Sequence, residues 1–174
     1  MNRVLKFEIL GIIFISIFGS LLHFVFDLLN RSWLAGIFSA VNESTWEHLK
    51  LAVLPTVLWA VLEARFFKLK ANNFIFAKAL SVYLMPILIV IFFYSYTGIL
   101  GYNLLAIDIS TFIVSVAIGQ VASYKIMNRP EFSQKWGMIS LSAIAILVSA
   151  FIIFTFWPPR NFLFLDPVSG GYGI

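Results

Sequence analysis

The sequence predicts an all-α, polytopic membrane helix bundle of about five transmembrane helices in one domain. The 174 residues are 61% hydrophobic and only 11% charged, whereas roughly a quarter of the residues in soluble domains are charged. The chain also divides into apolar stretches that match the roughly 20 residues needed to cross a bilayer. These stretches are residues 5–29, 45–67, 74–99, 104–127 and 136–157, followed by a tail at 158–174.

Local signals support the first two helices. The first stretch is too long for the apolar region of a cleavable signal peptide and carries His23 and Asp27 near its far end, so a retained helix is predicted. At the start of the second stretch, Ser44 is a good N-cap residue. Ser44 and Glu47 also have the S-x-x-E spacing of a capping box.

Turn signals separate the remaining three helices. An Asn-Asn pair at 72–73 breaks the chain before the third helix, and residues 98–103 predict a tight turn before the fourth. An Asn-Arg-Pro sequence at 128–130 ends the fourth helix and leaves a short loop before the last one.

The distribution of charge predicts the orientation. Basic residues in short loops stay on the cytoplasmic side of a membrane. With the N-terminus inside, only Arg31, Lys50 and Arg160 of the twelve Lys and Arg residues fall outside. We therefore expect a multipass protein of the cell membrane with an outer C-terminal tail. The basic residues lie between apolar runs, so nucleic acid is not an expected partner, and the lack of cysteine excludes disulfides and thiolate metal sites.

Ionisable residues inside spanning segments are costly and are usually paired or functional. Ser16, Ser20, His23 and Asp27 recur at intervals of 4, 3 and 4, which predicts one polar stripe on the first helix. One interpretation is a hydrogen-bonded seam between helices. The other is a metal ligand with an orienting partner, because an imidazole lies one turn from a carboxylate.

The second helix opens with N-E-S-T-W-E-H-L-K at residues 42–50. Glu43 and Glu47 are four positions apart and are expected to lie on one side of the helix. Acidic residues near a helix N-terminus are favoured by the helix dipole and by capping, and Lys50 could reach lipid phosphates. Capping needs only one of the two glutamates, so a functional role for the other remains open.

Helix geometry predicts that two histidines meet. His23 lies about 9 Å below the outer end of the first helix, and His48 about 5 Å below the start of the second, at 1.5 Å per residue. Because the two helices are consecutive and antiparallel, the imidazoles should share one level. We expect His23, His48 and Glu47 to hold zinc or another divalent ion. The catalytic role would fall to Glu43, Glu47 or Asp27.

Other polar side chains gather at the same predicted level and form a cup open to the outside. We expect this cup to bind a small-molecule or lipid substrate. The expected substrate-binding residues are Ser20, Asn42, Lys50, Tyr94 and Asp108.

Three segments resemble an uncharacterised family of small bacterial multipass membrane proteins. They are G-S-L-L-H-F at 19–24, F-S-x-V-N-E-S-x-W-E-H-x-K at 38–50 and D-P-x-x-G-x-Y-G-I at 166–174. The resemblance covers most of the chain and implies residence in a bacterial membrane. It singles out His23, Asn42, Glu43, Glu47 and His48, and it implies no activity.

The leading hypothesis is a metal-dependent membrane hydrolase that cleaves a lipid or peptide bond at the outer surface. Two alternatives from other classes remain open. The protein could be a component that binds or transports a small solute. It could also be a structural or regulatory subunit whose polar stripe recognises a partner membrane subunit or a second copy of the chain.

Overall fold

The computed structural model describes residues 2–66 and 69–174, and it confirms the predicted all-helical bundle. Those residues contain no strand, only an isolated antiparallel bridge between Leu165 and Tyr172. The α-helices are α1 (Arg3–Leu28), α2 (Trp33–Phe38), α3 (Thr45–Val61), α4 (Phe74–Leu100), α5 (Leu105–Met127) and α6 (Gln134–Phe156). A π-helical turn at Leu62–Phe66 continues α3, and the predicted end of that helix at 67 lies outside the described residues.

Four helices are long and apolar enough to cross a membrane: α1, α4, α5 and α6. The helix α3 has 17 residues, and nine of them are buried, against three of 23 in α6. It therefore forms the interior of the bundle, with α1 and α4 packed against it. The expected total of five spanning helices and the expected orientation stay predictions.

Small residues set the spacing between α1 and its neighbours. A Cβ added at Gly19 would lie 2.3 Å from the carbonyl oxygen of Leu51 in α3. A Cβ at Gly11 would lie 2.1 Å from the side-chain Nε2 of Gln120 in α5. These distances are shorter than van der Waals contact, so glycine permits the close approach of the helices. The C-terminal part of α1, one turn beyond Gly19, is thereby held against α3.

The short helix α2 was not predicted from the sequence. Its residues are mainly apolar, and the side chain of Ser32 caps it by accepting a hydrogen bond from the backbone N–H of Ala35 at 3.2 Å. Ala35 and Gly36 are buried. The connection between α1 and α3 therefore folds back onto the bundle and covers this end of its core.

Candidate metal centre

Two histidines from neighbouring helices meet at the end of the bundle where α1 ends and α3 begins. The Nε2 atoms of His23 in α1 and His48 in α3 lie 3.1 Å apart. Glu43 completes the group, because its Oε2 lies 3.7 Å from Nε2 of His23 and 3.5 Å from Nε2 of His48. The potential ligand atoms of these residues all lie within 4.8 Å of one another. The meeting of the imidazoles that helix geometry predicted is therefore present.

The start of α3 fixes the orientation of His48. Ser44 is the N-cap residue, and its hydroxyl accepts from the backbone N–H of Glu47 at 3.4 Å. One helical turn on from Ser44, Nδ1 of His48 donates to the Ser44 carbonyl oxygen at 2.9 Å. Because that nitrogen carries the proton, Nε2 of the neutral imidazole presents its lone pair to His23 and Glu43.

The cluster is accessible from the surface. The side chains of His23, His48 and Glu43 are 33%, 34% and 48% exposed. His23 and Glu43 line a cleft of about 700 Å³, together with residues of the loop before α3 and of the C-terminal tail. Such a volume lies within the range of small-molecule sites. A ligand could therefore reach the three side chains without unfolding the bundle.

The C-terminal tail forms one wall of the cleft. Asn42 donates from Nδ2 to the carbonyl oxygen of Gly173 at 2.9 Å. The backbone N–H of Ile174 donates to the carbonyl oxygen of Thr155 at 3.3 Å. Gly173 has a φ of 69°, and a Cβ there would lie 2.8 Å from the Thr155 oxygen. This position favours glycine for both reasons.

A turn centred on Asp166 holds the same tail. Burial raises the pKa of Asp166, but hydrogen bonds from the Ser169 side chain and from the backbone N–H groups of Val168, Ser169 and Glu43 outweigh burial and lower the pKa. The Ser169 hydroxyl donates to Oδ2 at 2.5 Å, and the Val168 amide to Oδ1 at 3.0 Å. The carboxylate thus connects the tail to the backbone of Glu43.

Glu47 and Lys50 form a separate buried network. Lys50 Nζ lies 2.5 Å from Oε2 of Glu47 and donates to the Gly36 carbonyl oxygen at 2.8 Å. Glu47 also accepts from Thr155 Oγ1 at 2.9 Å and from the Val41 amide at 3.1 Å. The structure therefore brings Glu43, and not the expected Glu47, to the two histidines. Lys50 is fully buried and does not extend to lipid phosphates.

The other expected site residues occupy the surroundings of the cleft or lie apart from it. Asp27 lines the cleft and accepts from Arg31 Nε at 2.8 Å, and both side chains are exposed. The Ser20 hydroxyl donates to the Ser16 carbonyl oxygen at 2.8 Å. Asn42 lines the cleft as well.

Tyr94 and Asp108 form contacts elsewhere at the same end of the bundle. The hydroxyl of Tyr94 lies 3.0 Å from Oγ1 of Thr45. Asp108 accepts from the hydroxyl of Tyr96 and from Nδ2 of Asn103, the latter at 3.2 Å. Neither residue lines the cleft, and the substrate-binding roles expected of them stay predictions.

Sequence reasoning missed a second buried ionic cluster, which contains Glu8, Glu63 and Lys78. Nζ of Lys78 lies 2.5 Å from Oε1 of Glu8 and 2.6 Å from Oε2 of Glu63. The signal was present, because all three residues fall inside the predicted apolar stretches. Lys78 was instead counted with the basic residues that mark the cytoplasmic side.

The fold and the site together define a helical membrane protein with a histidine–glutamate cluster beside a cleft at one end of its bundle. The chain belongs to a family of unknown function, DUF6512, whose family model matches residues 1–174. This assignment confirms the expected membership of a family without an assigned activity. Comparisons with curated proteins and with solved structures gave no match.

Proposed function

We propose that this protein binds a divalent metal ion, with zinc as the best fit, through His23, His48 and Glu43. We further propose that the protein hydrolyses an ester or amide bond of a lipid or peptide at the membrane surface, with these three residues holding the metal. The observation that supports the proposal most strongly is the convergence of two imidazole Nε2 atoms and one carboxylate oxygen. No other group of three potential metal ligands occurs among residues 2–66 and 69–174.

The distances match a tetrahedral ion. With bonds of about 2.0–2.1 Å, two ligand atoms of tetrahedral zinc lie roughly 3.3 Å apart. The separations from Nε2 to Nε2 and from each Nε2 to the Glu43 oxygen are 3.1, 3.7 and 3.5 Å. The three atoms therefore have the spacing of three corners of a zinc tetrahedron, and only small side-chain rotations would be needed.

The hydrogen bonding of His48 also suits a metal ligand. Histidines that bind metals usually donate their other ring N–H to a carbonyl or carboxylate oxygen, which fixes the tautomer and the ring orientation. Nδ1 of His48 makes this bond to Ser44. Ser44 is itself fixed as the N-cap of α3, so the helix start positions the ligand.

The number of ligands and the cleft support the proposal of hydrolysis. Two histidines and one glutamate leave the fourth zinc position open to water, which is the arrangement of catalytic sites. A bound zinc lowers the pKa of that water to about 7 and so supplies a nucleophile at neutral pH. Asp27 is ion-paired with Arg31 but is exposed and lines the cleft, so we assign it the role of the base. Glu47 is buried with Lys50 and does not line the cleft. Phe24 and Phe26 add apolar lining suited to a lipid or an apolar peptide segment.

Metal binding is tested on purified protein in detergent after removal of metal by a chelator. Isothermal titration with zinc should give one site in the wild type, and affinity should fall by at least about 100-fold in His23→Ala and His48→Ala, which remove a ligand. Glu131→Gln, which changes an exposed carboxylate remote from the cluster, is the matched control. A wild-type protein that binds no zinc would end the proposal.

Hydrolysis is tested separately with the zinc-loaded protein in lipid nanodiscs. Ester and peptide substrates presented at the bilayer surface should be cleaved by the wild type and not by Glu43→Gln. Asp27→Asn should lower turnover while zinc affinity is retained. Zinc binding without turnover on any such substrate would restrict the function to metal binding.

The size of the cleft favours a second candidate, which is binding of a small polar solute without chemistry. A cleft of about 700 Å³ holds a small molecule, and Arg31, Asp27 and Asn42 give it both charges and an amide. A solute that binds the folded state raises the melting temperature by mass action. A thermal-shift screen of metal-free protein that yields a ligand, with no zinc site found by titration, would favour this candidate.

A further inference from the structure

A buried cluster at the opposite end of the bundle has more carboxylates than cations. Glu8 of α1, Glu63 of the π-helical turn and Lys78 of α4 are 2%, 0% and 1% exposed. The Lys78 ammonium contacts both carboxyl groups, at 2.5 Å and 2.6 Å. We call these residues the carboxyl triad. With both glutamates ionised, the triad would carry one uncompensated negative charge inside the bundle.

Two further side chains from the described part of the chain contact the carboxyl groups, and neither is charged. The Ser123 hydroxyl of α5 donates at 3.3 Å to Oε1 of Glu8, the oxygen that Lys78 already contacts. The indole of Trp59 in α3 contributes a hydrogen bond to Glu63. Both neighbours are neutral, and the salt bridges of the two carboxyl groups found among the described residues are those to Lys78.

Unpartnered polar atoms lie beside the triad. Oε2 of Glu8 is buried and accepts no hydrogen bond from the described part of the chain. Nε2 of Gln120 in α5 is likewise buried without a partner and faces Gly11, one turn of α1 beyond Glu8. Its oxygen is taken by the Ser81 hydroxyl at 3.3 Å. A buried carboxylate oxygen without a hydrogen-bond donor is costly. Protonation of the carboxyl group lowers this cost because it removes the charge.

We propose that the carboxyl triad is a proton-binding site in which Glu8 holds one proton at neutral pH. The step forms one O–H bond on Glu8 and breaks one O–H bond of a hydronium ion, which becomes water; no bond within the protein breaks. One neutral carboxylic acid, one carboxylate and one ammonium then leave the triad with no net charge. This removes the large cost of an unpaired buried ion.

The position of the triad suits exchange with water at one end of the bundle. Glu8 is the sixth residue of α1 and Lys78 the fifth of α4, which places both about 6–8 Å from the helix starts at 1.5 Å per residue. The positive-inside prediction assigns this end to the cytoplasm. The site is therefore inside the bundle and within two helical turns of the predicted cytoplasmic surface.

Infrared spectroscopy of the full-length protein in a detergent without ester groups tests the proposal. The wild type at pH 7 should show the carbonyl stretch of a protonated carboxylic acid, which shifts to lower frequency in D2O. Glu8→Gln should abolish this band because it removes the acid. Glu63→Gln should also abolish it, since Glu8 and Lys78 then form a balanced ion pair. Glu131→Gln, at an exposed position, should leave it unchanged.

The wild-type spectrum alone can overturn the proposal, whatever the folding of the variants. A neutral-pH spectrum without an acid band means that both carboxyl groups are ionised. A band that persists in both the Glu8→Gln and Glu63→Gln proteins would assign the proton to another residue and would equally overturn it. A band lost in both variants and retained in Glu131→Gln supports the site, and the result is independent of metal binding at the other end of the bundle.

Discussion

The Nε2 atoms of His23 and His48 lie 3.1 Å apart, although the residues belong to different helices and are separated by 25 positions. The contact depends on the close approach of α1 to α3. Gly19, one turn before His23, allows it because its missing Cβ would lie 2.3 Å from the Leu51 carbonyl oxygen. The geometry of the candidate metal centre is thus tied to a backbone contact between helices.

Gly19→Ala should lower both stability and metal affinity. The added methyl group meets backbone, which cannot rotate away, so α1 must shift from α3 at a cost of about 1–3 kcal/mol in the free energy of unfolding. The shift also separates the two imidazoles. The measurements are the melting temperature in detergent and zinc titration.

Gly137→Ala is the matched control for that substitution. A Cβ at Gly137 in α6 has no neighbour within 4 Å, and alanine favours a helix interior over glycine by roughly 0.5–1 kcal/mol. The Gly137→Ala protein should therefore melt at or above the wild-type temperature and bind zinc normally. Equal melting temperatures and zinc affinities of the Gly19→Ala and Gly137→Ala proteins would show that the close approach at Gly19 is not needed.

Lys50→Met should be strongly destabilising. It leaves the carboxylate of Glu47 buried without its ion-pair partner, and breaking such a pair typically costs about 3–5 kcal/mol. The double variant Glu47→Leu with Lys50→Met should recover much of the lost stability because it removes both charges. Thermal unfolding of the single and double variants provides the measurement.

The exposed pair between Asp27 and Arg31 offers a comparison with the buried one. Both side chains are about three-quarters exposed, and exposed ion pairs contribute little to stability. Arg31→Met should therefore leave the melting temperature nearly unchanged. A fall in melting temperature as large as that caused by Lys50→Met would show that burial does not decide how much an ion pair contributes to stability.

The C-terminal tail should detach on acidification. Because the pKa of Asp166 is lowered in the folded protein, its hydrogen bonds stabilise the tail above the usual carboxyl pKa. This stabilisation is lost as pH falls through the lowered value. The chain has no cysteine, so a nitroxide on Val168→Cys, an exposed position, reports tail mobility by electron paramagnetic resonance.

Asp166→Asn should make the same label mobile at neutral pH. The carboxylate accepts from the Val168 amide through Oδ1 and from the Ser169 hydroxyl through Oδ2, whereas one of these two positions becomes a donating NH2 group in asparagine. Asp108→Asn, which alters a carboxylate outside the tail, should leave the label immobile. A spectrum that depends on pH in the Asp166→Asn protein as in the wild type would assign the titration to another group.

Single-cysteine labelling tests the orientation predicted by the basic residues. Val168→Cys should react in intact cells with a membrane-impermeant maleimide because the tail is expected outside. Glu131→Cys, in the exposed loop between α5 and α6, should react only after permeabilisation. The reverse pattern would place the N-terminus outside and would move the histidine cluster to the cytoplasmic face.

The fold followed from local and additive properties of the chain. The lengths of the apolar stretches predicted the helices to within about two residues at most ends. The reason is that the free energy of transfer into lipid and the backbone hydrogen bonding there depend on each segment separately. The N-cap at Ser44 was also predicted, since capping involves only neighbouring residues. The short helix α2 was missed because six residues give little periodic signal.

The candidate metal centre was only partly predictable. Equal depth along antiparallel helices predicted that His23 would meet His48, because axial height is a function of sequence position alone. The choice between Glu43 and Glu47 depends instead on which direction each side chain takes. Only packing decides that, since Lys50 and Thr155 draw Glu47 into the interior.

The sequence by itself determined an all-helical chain whose apolar stretches suit a membrane and whose histidines lie at one level. The tertiary structure decided which charges are paired, because partners such as Glu8 and Lys78 are 70 positions apart. Hydropathy records how much apolar surface a segment has, whereas an ion pair depends on the rotation of each helix about its axis. That rotation is set by contacts between different helices, such as the close backbone approach at Gly19.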